Sequence, residues 1–214
     1  MSLPMLLLLA AAVSALLAIA AEERAAGRHP AFYALKPLTT MLILAAVWAT
    51  PAREPVYARW IVAGLALSLC GDIALMFAGD RAFIAGLGSF LIAHGLFVAA
   101  FHSSHGWLAP PLWSLLACVP ALAFFGWLIP RTGPMKGPVV VYGLSLLAMA
   151  LVAAARAQVV DDRAAWLASI GAFVFIVSDA SLAVCQFQRP YRRAQALILS
   201  TYWTAIGLLA LSVA

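Results

Sequence analysis

Eight long apolar runs leave this chain one dominant folding problem, which is to satisfy its backbone polar groups where water is absent. The runs fall near residues 3–21, 34–50, 58–78, 83–101, 109–129, 138–155, 164–185 and 195–213. Each is nearly continuous in Leu, Ala, Ile and Val over 17 or more residues, close to the roughly 20 residues a helix needs to cross a hydrocarbon core of about 30 Å. Only helices and closed barrels satisfy the backbone in lipid, and the missing period-two alternation argues against barrel strands. The expected fold is therefore all-α, a polytopic membrane protein with eight transmembrane helices. The connections EERAAGRHP, TPAREP, GDR, HSSHG, PRTGPMKGP, RAQVVDDR and QRPYRR are too short to fold separately, so residues 1–214 read as a single integral membrane domain.

Composition supports this reading and narrows the function classes. The chain is 65% hydrophobic, with 13 Lys and Arg against 8 Asp and Glu. Its excess positive charge is scattered singly through short connections, a pattern that fits anionic lipid headgroups and not nucleic acid. Cys70, Cys118 and Cys185 lie within apolar stretches, with neither disulfide nor metal-ligand spacing. The first run has the apolar core of a signal peptide without a preceding basic region, so a retained first helix is expected.

Orientation follows from Lys and Arg in short loops. The connections after helices one, three, five and seven, with their borders, carry Arg24, Arg28, Lys36, Arg81, Arg131, Lys136, Arg189, Arg192 and Arg193. The opposite side carries Arg53, Arg59, Arg156 and Arg163, which places both termini outside the cytoplasm, in a bacterial cell membrane. Gly71-Asp72-Ile73-Ala74-Leu75 also echoes Ser178-Asp179-Ala180-Ser181-Leu182 at an offset of 107 residues. Two four-helix halves would produce such an echo.

A few polar residues inside the runs need an explanation. A carboxylate in a membrane helix costs roughly 2.5 to 3.5 kcal/mol on insertion scales and usually faces a bundle interior or polar cavity. Asp72 and Asp179 are the strongest candidates. Both are expected five or six residues before the cytoplasmic end of an inward-running helix, a depth of about 8 to 9 Å at 1.5 Å per residue. Lys36 and Gln195 begin helices on that side, and Tyr33, Lys136, Tyr142 and Tyr191 could approach the same level. Lys36 is expected either to snorkel or to act as a counterion or phosphate contact. His94 lies near the middle of helix four, where imidazole can move protons or merely pack. The dispersed histidines offer no zinc set, so no metal and no organic cofactor is expected.

The chain resembles the lysoplasmalogenase family of membrane proteins, also called YhhN-like. The resembling elements are Lys36-Pro37, then Ser68-Leu69-Cys70-Gly71-Asp72-Ile73-Ala74-Leu75-Met76, Gly86-Leu87-Gly88-Ser89-Phe90-Leu91-Ile92-Ala93-His94 and Phe175-Ile176-Val177-Ser178-Asp179-Ala180-Ser181-Leu182-Ala183. Their order matches over nearly the whole chain. The resemblance departs at Leu96 and Phe97, where a more polar or tyrosine-containing continuation is expected.

The resemblance implies a hydrolase that cleaves the vinyl-ether bond of a lysoplasmalogen, giving a fatty aldehyde and a glycerophospho-headgroup compound. The family's polar elements fall on Lys36, Asp72, His94 and Asp179. The reaction needs a proton on the outer alkene carbon, then water on the resulting oxocarbenium ion. Two carboxyls can divide that work as acid and as anionic stabiliser, an assignment between Asp72 and Asp179 that the residues leave open. The implied partner is a membrane lipid as substrate, with no nucleic acid and no obligate protein partner. The competing expectation is a small proton-coupled transporter, because embedded Asp, His and Lys also mark ion pathways.

Overall fold

The computed structural model describes residues 1–24, 29–103 and 105–214. Arg28, part of the charge count, lies outside the described residues, as does Ser104 of the HSSHG connection. Among the described residues the regular structure is entirely helical. The helices are α1 (Leu3–Arg24), α2 (Pro30–Ala49), α3 (Pro55–Ala74), α4 (Asp80–His102), α5 (Leu112–Leu128), α6 (Lys136–Val160), α7 (Arg163–Phe187) and α8 (Ala194–Leu211). Among the described residues, and counting the short 3-10 turns that follow α5, eight helices are long and apolar enough to cross a membrane, so the protein is an integral membrane protein of the expected class.

Neighbouring helices pair tightly as α1 with α2, α3 with α4, and α7 with α8. Contacts of α2 with α3, α4 with α6, α6 with α7, and α8 with α1 close these pairs into a ring. Helix α5 stands outside it, against α6 and α7. Near its start Trp113 donates to Gln158 Oε1 at 3.2 Å and packs on Trp166 and Phe173, and near its end the Phe125 ring seats on Gly143 of α6 while Leu128 is buried.

Small residues let the large ones interdigitate. A Cβ on Gly64 would collide with the Phe97 ring, and one on Gly71 would lie 2.6 Å from Phe90. Phe97, the departure noted in the sequence, is thus a fully buried ring seated on a glycine of α3. Phe90, Phe175 and Tyr202 meet edge to face at centroid distances of 5.6 to 6.1 Å, joining α4, α7 and α8 across the ring.

Several boundaries differ from the expectation. Helix α6 runs on to Val160, so Arg156 belongs to a membrane helix and not to a connection. It is 3% exposed, pairs with Glu54 at 2.9 Å, and lies 4.6 Å above the Tyr57 ring, whose hydroxyl meets Ser212. This ion pair makes a long apolar helix compatible with an internal arginine. Helix α3 ends early, at Ala74, in a tightened turn through Met76 and Phe77 before Gly79 at φ 108°. Asp72 is therefore two residues from its helix end and Asp179 eight, in place of the matched five or six.

Candidate active site

The last carbonyls of α3 have no partner within their own helix, and a cation nearby satisfies both the orphan acceptor and the helix dipole. Lys36 of α2 does this. Its Nζ donates to the Asp72 carbonyl oxygen at 3.1 Å and lies 3.4 Å from Asp72 Oδ1. Thr40, one turn further along the same face of α2, donates to Asp72 Oδ2 at 2.7 Å. Tyr202 of α8 donates to that same oxygen at 2.7 Å. Asp72 is 1% exposed and Lys36 7%, so three helices converge on one buried carboxyl whose oxygens are both engaged. Lys36 is a counterion here and not a snorkelling surface lysine.

Asp179 is held more lightly. Tyr142 of α6 donates a short hydrogen bond to its Oδ2, and the neighbouring Ser178 ties α7 to α8 by donating to the Ile198 carbonyl at 3.1 Å. Behind Tyr142 stands His94, fully buried, its ring 5.1 Å from both Tyr142 and Phe175. Ser145 spends its hydroxyl hydrogen on the Tyr142 carbonyl, so the 3.3 Å contact between His94 Nδ1 and Ser145 Oγ is donated by the imidazole. His94 Nε2 is then a buried acceptor without a hydrogen-bond partner among the described residues. His94 thus packs behind Tyr142 and lines neither of the cavities described next.

Two cavities meet at Asp179. One, of about 340 Å³, is the more polar and lies where α2 and α8 begin and α3 and α7 end; Lys36, Asp72, Asp80, Asp179, Gln186, Gln195 and Tyr202 are on its walls among apolar side chains. The other, of about 540 Å³, is apolar and runs among α4, α5, α6 and α7. Asp179, Phe83, Phe90, Leu75 and Leu182 line both. A concave site of this size with a few convergent polar groups suits a small amphiphile.

The structure thus brings Lys36, Asp72, Asp179, Gln195 and Tyr142 together around one pair of cavities, with His94 behind them. Tyr33 is not brought in. It is 41% exposed and points its ring against Phe32, because α2 turns the Phe32, Lys36, Thr40 face inward and leaves position 33 outside. Lys136 is exposed and lines neither cavity, whereas Tyr191 lines the apolar one. Thr40 and Tyr202 are additions. A hydroxyl one turn after a membrane lysine could have pointed to Thr40, but nothing local to Tyr202 marks it, since its partner lies 130 residues away.

Comparison with known proteins places the chain. It is 32% identical to human lysoplasmalogenase TMEM86B over 182 residues, 85% of this chain and 75% of that protein. It is 34% identical to the lysoplasmalogenase of Mycobacterium tuberculosis over 167 residues, 74% of this chain and 60% of that protein. The bovine lysoplasmalogenase TMEM86A is likewise 34% identical, over 71% of this chain and 64% of its own length. No solved structure matches. The pattern of the YhhN family matches residues 31–213, a stretch holding every polar residue of the two cavities, and the chain belongs to that family.

Proposed function

We propose that this membrane protein hydrolyses the vinyl-ether bond of a lysoplasmalogen, with Asp179 as the proton donor and Asp72 as a fixed anion. Family membership and the named relatives support a hydrolase acting on such lipids. The observation that carries the division of roles is the unequal engagement of the two carboxyls. Asp72 accepts from Thr40 and Tyr202 and pairs with Lys36, leaving it no freedom to hand over a proton. Asp179 has one side-chain partner, on Oδ2, and stands where the polar and apolar cavities join.

A single-chain lipid fits this arrangement with its headgroup in the polar cavity and its hydrocarbon in the apolar one, which puts the ether linkage beside Asp179. Asp179 Oδ1 delivers a proton to the alkene carbon remote from the ether oxygen, and the adjacent carbon becomes an oxocarbenium ion. The Asp72 anion favours the developing positive charge and orients water in the polar cavity. Water adds to the cation and returns its proton to Asp179, and the hemiacetal collapses to fatty aldehyde and the free glycerol hydroxyl. The protein's share is general acid-base transfer, which contributes typically 10² to 10⁴-fold.

Purified protein incubated with lysoplasmalogen is expected to release free aldehyde, detected by mass spectrometry together with the glycerophospho product. Release of a fatty acid, or unchanged lipid alongside proton-dependent solute uptake in vesicles, would exclude the proposed reaction.

A further inference from the structure

The apolar cavity has an asymmetric wall. On α7 its lining runs from Phe187 inward to Phe173, fourteen residues, or about 21 Å at 1.5 Å per residue. Asp179 lies only six residues short of Phe173, so about 9 Å of cavity separates the carboxyl level from the innermost lining. That depth is small beside a membrane lipid tail, which must span half of a core about 30 Å thick. The distal part of a long chain therefore has to pass the innermost lining residues. On α5 those residues are Ala117 and Ala121, two small side chains on one helix face, followed along it by Phe124, Phe125 and Leu128.

Helix α5 is also the least embedded wall. It lies outside the ring of the other seven helices and is fastened by Trp113 near its start and by Phe125 on Gly143 near its end, with the two alanines between these points. Pro120, inside α5, removes a backbone hydrogen bond just between the two alanines, which permits a local bend there.

We propose that Ala117 and Ala121 of α5 set the hydrocarbon chain length the protein accepts, by leaving open the passage through which the distal part of a single-chain lipid leaves the apolar cavity for the bilayer. The inference rests on the lysolipid reading above. Large side chains at these positions close the passage, so short chains still bind and long chains do not.

The test is thermal unfolding in maltoside micelles with saturated lysophosphatidylethanolamines carrying octyl, dodecyl or hexadecyl chains, each added at a fixed mole fraction of detergent. Wild type is expected to gain stability with chain length. Ala121→Trp and Ala117→Trp should bind the hexadecyl lipid at least tenfold more weakly and the octyl lipid as wild type does. Leu122→Trp, on the exposed face of α5, should behave as wild type throughout. Ala121→Leu carries the same prediction in smaller measure and serves if a Trp variant does not unfold cooperatively. Hexadecyl binding unchanged in the cavity-side variants, or equal loss at every length, would overturn the proposal. Because these lipids lack the vinyl ether, binding is read without turnover. Aldehyde release by wild type, measured separately, reports on the reaction itself.

Discussion

The side chains around Asp72 form a closed set whose members are not interchangeable. Removing one partner of a buried ion pair typically costs about 3 to 5 kcal/mol, because the remaining charge is left uncompensated. Lys36→Met is therefore expected to lower the unfolding midpoint in detergent markedly, and adding Asp72→Asn should restore part of the loss. A double variant less stable than Lys36→Met alone would contradict the pairing. At Asp179 the single partner makes a different prediction. Tyr142→Phe removes a bond that becomes charge-assisted as Asp179 gives up its proton, worth about 1.5 to 3 kcal/mol at that point, so turnover should fall roughly ten- to hundredfold with the fold intact. The two aspartates were legible in the sequence because a carboxyl amid Leu, Ala and Val has few bland explanations. Thr40 and Tyr202 were not, since hydroxyls are ordinary in membrane helices and only packing selects which one meets the carboxyl.

Helix count and approximate extent followed from hydropathy, because lipid forces every span to be long and apolar. Helix ends followed less well. Arg156 resembled a loop residue by charge alone, yet its partner Glu54 lies 102 residues away and draws it into α6. Contacts between helices depend on paired small and large residues that hydropathy does not distinguish. Gly71 shows what such a pair controls. A methyl there would meet Phe90, which walls both cavities and packs on Tyr202, the donor to Asp72. Gly71→Ala is expected to cost about 1 to 3 kcal/mol by overpacking and to lower turnover severalfold, whereas Gly88→Ala, with open space around its Cβ, should leave both unchanged. Equal activity of the two variants would show that Phe90 does not fix the cavity junction.

At the scale of the whole molecule, all the polar-cavity residues gather at one end of the bundle, the end where Arg192 lies, while Arg163 begins α7 at the other. The excess of Lys and Arg around the cavity end predicts that it faces the cytoplasm. In a background with the native cysteines replaced, Arg192→Cys should react with an impermeant thiol reagent only from the cytoplasmic side and Arg163→Cys only from the other. The reverse pattern would move the cavity mouth to the opposite leaflet and leave the chemistry untouched. That chemistry is most directly tested by aldehyde release from lysoplasmalogen by purified wild type, Asp72→Asn and Asp179→Asn, each checked for an intact detergent-extracted fold. The account predicts release by wild type and a fall of at least about tenfold in each variant. Full release by the folded Asp179→Asn protein would contradict it.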